Sequence, residues 1–246
     1  MKQPDVDYQV RTYRNNIGHN HLKRFTVMVK ETDLLLYAPV NLEKQAREIV
    51  LAQRGYLEAY IRCNPLFLTS VASLETDGIA PVLIREMIIA GQKAGVGPMA
   101  AVAGGIAEMV GKSLLNYTDE VIVENGGDIF IRTHTPITIG IFAGKSPLSM
   151  RVGLSIISAD HSMAVCTSSG TIGHSMSMGT ADAVCIVAKS CPLADAAATS
   201  IGNYVNSKTD IQDAIDFGNK IRGVSGIVII KNDRIGMWGD IDLVSF

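Results

Sequence analysis

The sequence lacks an excess of charge of either sign. Its 246 residues contain 22 lysines and arginines against 24 aspartates and glutamates, which gives a formal net charge of -2 and a pI near 6.2. A protein that holds nucleic acid through phosphate contacts carries a basic run or patch, and the sequence has no basic run. The composition therefore argues against an electrostatic nucleic-acid binder, and we expect no nucleic-acid partner.

Long apolar runs are missing as well. The longest stretch without a formal charge, residues 161–181, is crowded with serine, threonine, glycine and histidine. A membrane span needs about 20 predominantly apolar residues. The N-terminal residues 1–7 are polar and lack the apolar core of a signal peptide. We therefore predict a cytoplasmic protein without a membrane partner.

Cysteine is scarce. The four cysteines, Cys63, Cys166, Cys185 and Cys191, show neither a C-x-x-C spacing nor a histidine at zinc-finger distance. In a reducing compartment such cysteines are buried or neutral thiols. The sequence therefore does not predict a zinc site.

Hairpins and groups of helices alternate along the chain. The clearest hairpin joins strands 121–124 and 128–132 through Asn125-Gly126-Gly127, because Asn-Gly tolerates the positive φ of a tight turn. The other predicted strands are 24–29, 34–37, 137–142, 152–158, 163–167, 181–188, 226–230 and 234–238. The predicted helices are one between Asn41 and Asn64, then 81–92, 98–115, 192–205 and one after Asp210.

Strands joined by short turns predict the α+β class, with antiparallel sheets and helices packed on a face. No linker-like segment separates the halves of the chain. We therefore expect one compact domain over residues 1–246, with two intertwined half-domains as the alternative.

Two glycine motifs have competing interpretations. Residues 95–100 match the loose dinucleotide pattern G-x-G-x-x-A, but that motif needs a preceding strand, and residues 82–89 have a helical pattern. We therefore predict a helix–helix turn there. Gly104 and Gly105 lie inside a predicted helix, where each costs about 1 kcal/mol relative to alanine. Either close packing against a neighbouring backbone or the approach of a ligand would explain them.

The start of the helix at 192–205 combines two oxygen-bearing side chains. Pro192 suits the first helical position, and Asp195 and Thr199 stand one turn apart on one face. A carboxylate and a hydroxyl so placed suit Mg²⁺, which keeps several waters and uses few protein ligands. The alternative is that Asp195 caps its helix and Thr199 bonds back to a carbonyl.

A polar loop with glycines follows the strand at 163–167. The hydroxyls and amides of residues 167–175 could bind a phosphate, because successive amides form anion-binding nests. No G-x-S-x-G motif accompanies them, which argues against a serine hydrolase. His174 could act as a general base or phosphate donor, or serve a structural role.

Four of these motifs, in this order, resemble the ApbE-like superfamily, whose best-known members are FAD:protein FMN transferases. The motifs are Gly-Gly-Ile-Ala at 104–107, Gly-Gly-Asp at 126–128, Thr-Ser-Ser-Gly at 167–170 and Leu-Ala-Asp-Ala-Ala-Ala-Thr at 193–199. The likeness covers roughly residues 95–205. It is greatest to a cytoplasmic branch of that superfamily.

The resemblance implies a T-fold-like architecture and a Mg²⁺ ion held by Asp195, Thr199 and a backbone carbonyl, that of Ala107. It implies FAD as ligand or substrate, with FMN transferred to a threonine of an acceptor protein and AMP released. The residues it places near the nucleotide are Gly104, Gly105, Gly126, Gly127, Asp128, Thr167, Ser168, Ser169 and Gly170. His174 would assist proton transfer.

The chain also departs from the transferases. The lysine that usually follows Gly-Gly-Ile-Ala is Glu108, and residues 174–179 replace a His-x-Ile-Asp-Pro-type segment. Three hypotheses follow: a Mg²⁺-dependent enzyme that transfers FMN or cleaves the FAD pyrophosphate, a non-catalytic flavin or nucleotide binder, and a metal-free structural protein. The high apolar fraction is compatible with a homodimer.

Overall fold

A computed structural model describes residues 21–75, 78–158, 161–170 and 179–245. The helices are α1 (Glu43–Cys63), α2 (Leu66–Thr69), α3 (Val82–Ala94), α4 (Val102–Leu114), α5 (Cys191–Gly202) and α6 (Ile211–Gly218). The strands are β1 (Lys23–Val29), β2 (Thr32–Ala38), β3 (Val121–Asn125), β4 (Asp128–Arg132), β5 (Ile137–Gly140), β6 (Val152–Ile156), β7 (Met163–Ser168), β8 (Ala183–Ala188), β9 (Val224–Lys231), β10 (Arg234–Gly239) and β11 (Asp242–Ser245).

Eight strands form one sheet in the order β1-β2-β3-β4-β7-β8-β9-β10, and all its neighbours pair antiparallel. Side chains alternate between the two faces, as strand geometry requires. Leu36, Val123 and Phe130 belong to the core on the helix side. Leu35 and Ile122 belong to a second core on the opposite side. The predicted α+β class, with antiparallel strands and helices on a face, is therefore confirmed.

A separate three-stranded sheet, in the order β11-β6-β5, covers part of the second face. Ile139 and Leu154 pack there against the large sheet. Local patterns predicted β5 and β6 but not their separation from the large sheet, because β6 pairs with β11, some 90 residues away in sequence. Neither β11 nor the short helix α2 was predicted.

The predicted helix 98–115 begins one turn later than expected. Residues Pro98–Ala101 form a 3₁₀ turn, and α4 proper starts at Val102. The segment before Gly95 is the helix α3, so the predicted helix–helix turn at the G-x-G-x-x-A motif is confirmed. Gly95 adopts a φ of 72° and its amide donates to the carbonyl of Gly91.

None of the helices in the described ranges is, alone, long and apolar enough to cross a membrane. The segments Val82–Ala94 and Pro98–Leu114 reach that length and apolarity together, with a bend of 106° between them.

Candidate metal and nucleotide site

Helices α4 and α5 pack against each other, and each accepts hydrogen bonds from amides of the other's N-terminal half. The amide of Gly104 in α4 donates to Asp195 Oδ2 at 2.9 Å. The amide of Cys191 in α5 donates to Glu108 Oε2 at 2.6 Å. A carboxylate near a helix N-terminus satisfies unpaired amides and interacts favourably with the helix dipole. Two reciprocal carboxylate–amide contacts therefore fix the spacing of the two helices.

Gly104 makes this close approach feasible. A Cβ at Gly104 would lie 2.5 Å from the Cys191 carbonyl oxygen and 2.9 Å from Asp195 Cβ. A Cβ at Gly105 would lie 2.8 Å from Leu83 Cδ1 in α3. Close packing, one of the two explanations left open by the sequence, therefore accounts for both glycines.

Asp195 does not cap its own helix. Ser190 does so, because its side chain accepts a hydrogen bond from the Leu193 amide at 3.4 Å. Within the described helix α5, Asp195 is the one residue that is not buried. Thr199, one turn further along, is 8% exposed. Asp195 is therefore the partly exposed residue of an otherwise buried helix.

A second carboxylate, that of Asp128, lies close to Asp195. Asp128 begins β4, is 7% exposed, and pairs across the ladder with Cys166 on β7. Burial raises the pKa of Asp128 well above its usual range; the charge of Asp195 raises it further, and a hydrogen bond with the Cys166 thiol opposes the shift. Burial also raises the pKa of Asp195 to about 7, against the lowering effect of the Gly104 and Ala103 amides. The two carboxyl groups oppose each other's ionisation.

Polar groups of the neighbouring strands lie beside Asp128. Gly126 and Gly127 form the β3–β4 turn with φ of 68° and 110°, and the Gly127 carbonyl accepts from the Thr167 amide at 3.2 Å. Ser168 stands two residues beyond Cys166 on the same face of β7. Its Oγ is buried and has no hydrogen-bond partner in the part of the chain that the structure describes. A buried hydroxyl is costly to leave without a partner, so Ser168 Oγ is a candidate donor to a bound group.

The other predicted site residues lie in a loop, in a helix and outside the described residues. Ser169 and Gly170 follow Ser168, and Gly170 packs against the backbone, because a Cβ there would lie 2.1 Å from the Gly179 carbonyl oxygen. Ala107 is fully buried in α4, three residues beyond Gly104. His174 lies outside the described residues. The structure therefore brings together Asp128, Thr167 and Ser168 on adjacent strands and sets Asp195 near Asp128, and the roles of all predicted site residues stay predictions.

The donors at this corner fit a hard cation. Across the described ranges, no group of three or more histidine, cysteine, aspartate or glutamate side chains could hold a metal ion by itself. Mg²⁺ needs no such cage, because one or two carboxylates plus phosphate oxygens and water suffice. Burial raises the pKa of Cys166 far above its usual range and that of Cys191 to about 11, so both thiols stay protonated and do not compete as soft ligands.

Sequence reasoning assigned no site role to Glu108 and Cys166. Glu108 is buried, accepts from Cys191, and is bridged by Lys112 Nζ at 2.5 Å. The i, i+4 spacing of Glu108 and Lys112 was a signal for the ion pair. Glu108 and its contact residue in α5, Cys191, are 83 residues apart in sequence, so no local sequence pattern indicates this contact.

The fold is that of the ApbE flavin transferases. The flavinyl transferase ApbE of Pseudomonas stutzeri, in its apo form, superposes with a TM-score of 0.55 at 12% identity, covering 88% of this chain and 93% of that one. The ApbE protein of Thermotoga maritima superposes with a TM-score of 0.52 at 11% identity, covering 87% and 96%. At these identities the likeness concerns the fold alone.

The sequence itself defines the family. The sequence profile described as "AbpE bacteria" matches residues 14–237. The UPF0280 protein MJ1526 of Methanocaldococcus jannaschii is 42% identical over 221 residues, covering 87% of this chain and 90% of that protein. A UPF0280 protein of Methanococcus aeolicus is 39% identical over 201 residues, covering 80% and 81%. The chain belongs to the AbpE bacteria family, and the resemblance predicted from its motifs is confirmed.

Proposed function

We propose that the protein is a Mg²⁺-dependent enzyme of flavin nucleotides, which transfers FMN from FAD to an acceptor protein or cleaves the FAD pyrophosphate. The observation that carries this proposal is the proximity of two acidic side chains, Asp128 and Asp195, beside a Ser168 hydroxyl that has no hydrogen-bond partner among the described residues. Two neighbouring carboxyl groups that oppose each other's ionisation are unfavourable without a cation, so the corner favours a positively charged ligand. The ApbE-like fold supports a flavin nucleotide as its companion.

In this proposal, Asp195 and Thr199 hold Mg²⁺ and Asp128 lies within electrostatic range of it. The Ala107 carbonyl is the third predicted ligand. When bound, the ion neutralises charge on the phosphoryl oxygens of the nucleotide. The Gly104 amide donates to Asp195 Oδ2, and the Ala103 amide also bonds to this carboxylate, so both amides hold the side chain in place.

The strand ends would position the nucleotide. Gly126 and Gly127 allow the backbone of the β3–β4 turn to approach a ligand closely. Thr167 and Ser168 end the neighbouring strand β7, and Ser169 and Gly170 follow them. The buried Ser168 hydroxyl, which has no hydrogen-bond partner in the described ranges, would donate to a phosphate or flavin oxygen. His174 keeps its predicted role in proton transfer.

A direct experiment distinguishes the outcomes. Purified protein is incubated with FAD and Mg²⁺, and AMP and protein-bound flavin are both followed. AMP together with labelled protein supports transfer, and AMP together with free FMN supports hydrolysis. An Asp195→Ala variant that retains full turnover would overturn the metal role of Asp195.

A second candidate, a flavin-nucleotide binder without transfer activity, is favoured by one observation. Glu108 stands where the related transferases usually carry a lysine, and its carboxylate is occupied by the Cys191 amide and Lys112. This position therefore supplies no positive charge to a transferring phosphoryl group. Bound but intact FAD in the same experiment would select this candidate.

A further inference from the structure

Two buried thiols face each other where strand β7 meets the first turn of α5. Cys166 on β7 and Cys191 at the start of α5 are both 0% exposed, and their Sγ atoms lie 3.5 Å apart. Cys166 Sγ also lies 3.4 Å from the carbonyl oxygen of Cys191. The two residues are 25 positions apart in sequence. The packing of the helix on the sheet, rather than a local cysteine motif, therefore brings the thiols together.

The other two cysteines have different surroundings. Cys63 ends α1 and is exposed. Cys185 on β8 is buried, but it pairs across the ladder with Thr167, the neighbour of Cys166, so the side chains of Cys185 and Cys166 project from opposite faces of the sheet. Cys185 accordingly belongs to the second core, whereas Cys166 and Cys191 both belong to the core on the helix side. This arrangement distinguishes Cys166 and Cys191 as the pair placed to react with each other.

We propose that Cys166 and Cys191 form a redox modification site, which a small peroxide converts into an intramolecular disulfide and a thiol reductant restores. The sulfur atoms of a disulfide lie about 2.05 Å apart, so these two need to approach each other by only about 1.5 Å. The oxidant has to be small because both sulfur atoms are enclosed by the core. Hydrogen peroxide satisfies this condition.

The reaction balances with one molecule of hydrogen peroxide. One cysteine sulfur attacks a peroxide oxygen, so that an S–O bond forms and the O–O bond breaks; the thiol proton and the leaving hydroxide become water. The second sulfur then attacks the resulting sulfenic sulfur, an S–S bond forms and the S–O bond breaks, and the second thiol proton leaves with the hydroxide as water. Two thiols are thereby oxidised by two electrons in total, and the peroxide is reduced to water.

Burial and proximity have opposite effects on this reaction. Burial raises the pKa of Cys166 far above its usual range and that of Cys191 to about 11, and the thiolate is the reactive form. The first step should therefore be slower than at the exposed Cys63. Once a sulfenic acid forms, the neighbouring thiol is in contact with it and captures it before a second peroxide does. The pair should therefore stop at the disulfide, whereas Cys63 should proceed to sulfinic acid.

The disulfide would join two elements of the acidic corner. The Cys166 thiol forms a hydrogen bond with Asp128, and Cys191 begins the helix that carries Asp195. Oxidation removes the S–H group that serves Asp128 and ties β7 covalently to α5. The modification therefore acts directly on this corner and needs neither flavin nor Mg²⁺.

The test uses a variant that keeps only this pair of the four cysteines, Cys63→Ser combined with Cys185→Ala. The folded variant is treated with hydrogen peroxide, denatured, alkylated and analysed by mass spectrometry. We expect the loss of two hydrogen atoms without added oxygen, and a link between the tryptic peptides 152–189 and 190–208. Dithiothreitol should restore two free thiols. The wild-type chain is treated in parallel, so that the result does not depend on the folding of the variant.

The matched control is Cys166→Ser in the same background, which keeps Cys191 but should give no intramolecular link. Two free thiols that persist in the folded variant, under conditions that oxidise Cys63 of the wild type completely, would overturn the proposal. Sulfinic or sulfonic acid at Cys166 or Cys191 in place of the disulfide would overturn it too. These results do not depend on the proposed flavin chemistry, so either proposal can fail without the other.

Discussion

At each end of the α4–α5 contact a carboxylate accepts a hydrogen bond from a backbone amide, but the charged groups beside the two carboxylates differ. At one end, Glu108 accepts from the Cys191 amide and forms an ion pair with Lys112, so its charge is compensated. At the other end, Asp195 accepts from the Gly104 amide but lies close to a second carboxyl group, that of Asp128. Glu108 is buried, whereas Asp195 is partly open to solvent.

This difference separates a structural contact from a candidate binding site. Removing one partner of a compensated buried carboxylate leaves the other unpaired, which is costly. A pair of carboxyl groups that repel each other costs stability, unless a proton or a cation relieves the repulsion. The Glu108 end therefore holds the two helices together, and the Asp195 end is the one to which the proposed function assigns a cation.

The largest expected effect comes from Asp195→Asn. Asparagine keeps an oxygen for the Gly104 amide but removes the negative charge. We expect the unfolding free energy of the metal-free protein to stay equal or rise, and the affinity for Mg²⁺ in the presence of FAD to fall by more than about 100-fold. Chemical denaturation with and without Mg²⁺ measures both. A variant stabilised by Mg²⁺ as strongly as the wild type would remove the distinction between the two ends.

Glu108→Gln should show the opposite behaviour. The loss of a buried charged acceptor for the Cys191 amide should lower the unfolding free energy by about 1–3 kcal/mol. Mg²⁺ affinity should change only a few-fold, because Glu108 lies at the other end of the contact. Denaturation and metal titration of the same preparation test this. Selective loss of metal binding at unchanged stability would contradict the structural role.

The pH dependence of stability distinguishes the two ends further. Because the pKa of Asp195 is raised to about 7, the folded metal-free protein binds more protons than the unfolded chain from about pH 4 to pH 7. The contribution of Asp195 to the unfolding free energy is therefore greatest below about pH 4 and is lost as the pH rises to about 7. The decline in unfolding free energy should be steeper in the wild type than in Asp195→Asn, and Mg²⁺ should reduce it. Equal slopes would argue against a raised pKa.

The smallest predicted effect concerns Thr199. Thr199→Val removes a predicted ligand while keeping a similar shape, and should weaken Mg²⁺ binding by about tenfold. Ser200→Ala is the matched control, because the Ser200 hydroxyl donates to the Ala94 carbonyl and serves the packing of α3. It should lower stability without altering Mg²⁺ affinity. Titration of both variants would test the assignment, and equal losses of affinity would refute it.

The sequence predicted those features that local chemistry determines. The turn at Gly126 and Gly127 followed from its turn residues, and the shared face of Asp195 and Thr199 followed from helical spacing. The approach of Asp128 to Asp195 joins residues 67 positions apart, and no local pattern encodes such a contact. The contact of Glu108 with the Cys191 amide and the second sheet escaped prediction for the same reason.

In the proposed function, FAD binding requires a cation held by Asp195. Calorimetric titration of FAD into wild-type protein and Asp195→Asn, each with and without Mg²⁺, measures this requirement. FAD should bind the wild type tightly only with Mg²⁺, and Asp195→Asn should bind FAD weakly under both conditions. An FAD affinity that depends on neither Mg²⁺ nor Asp195 would contradict it.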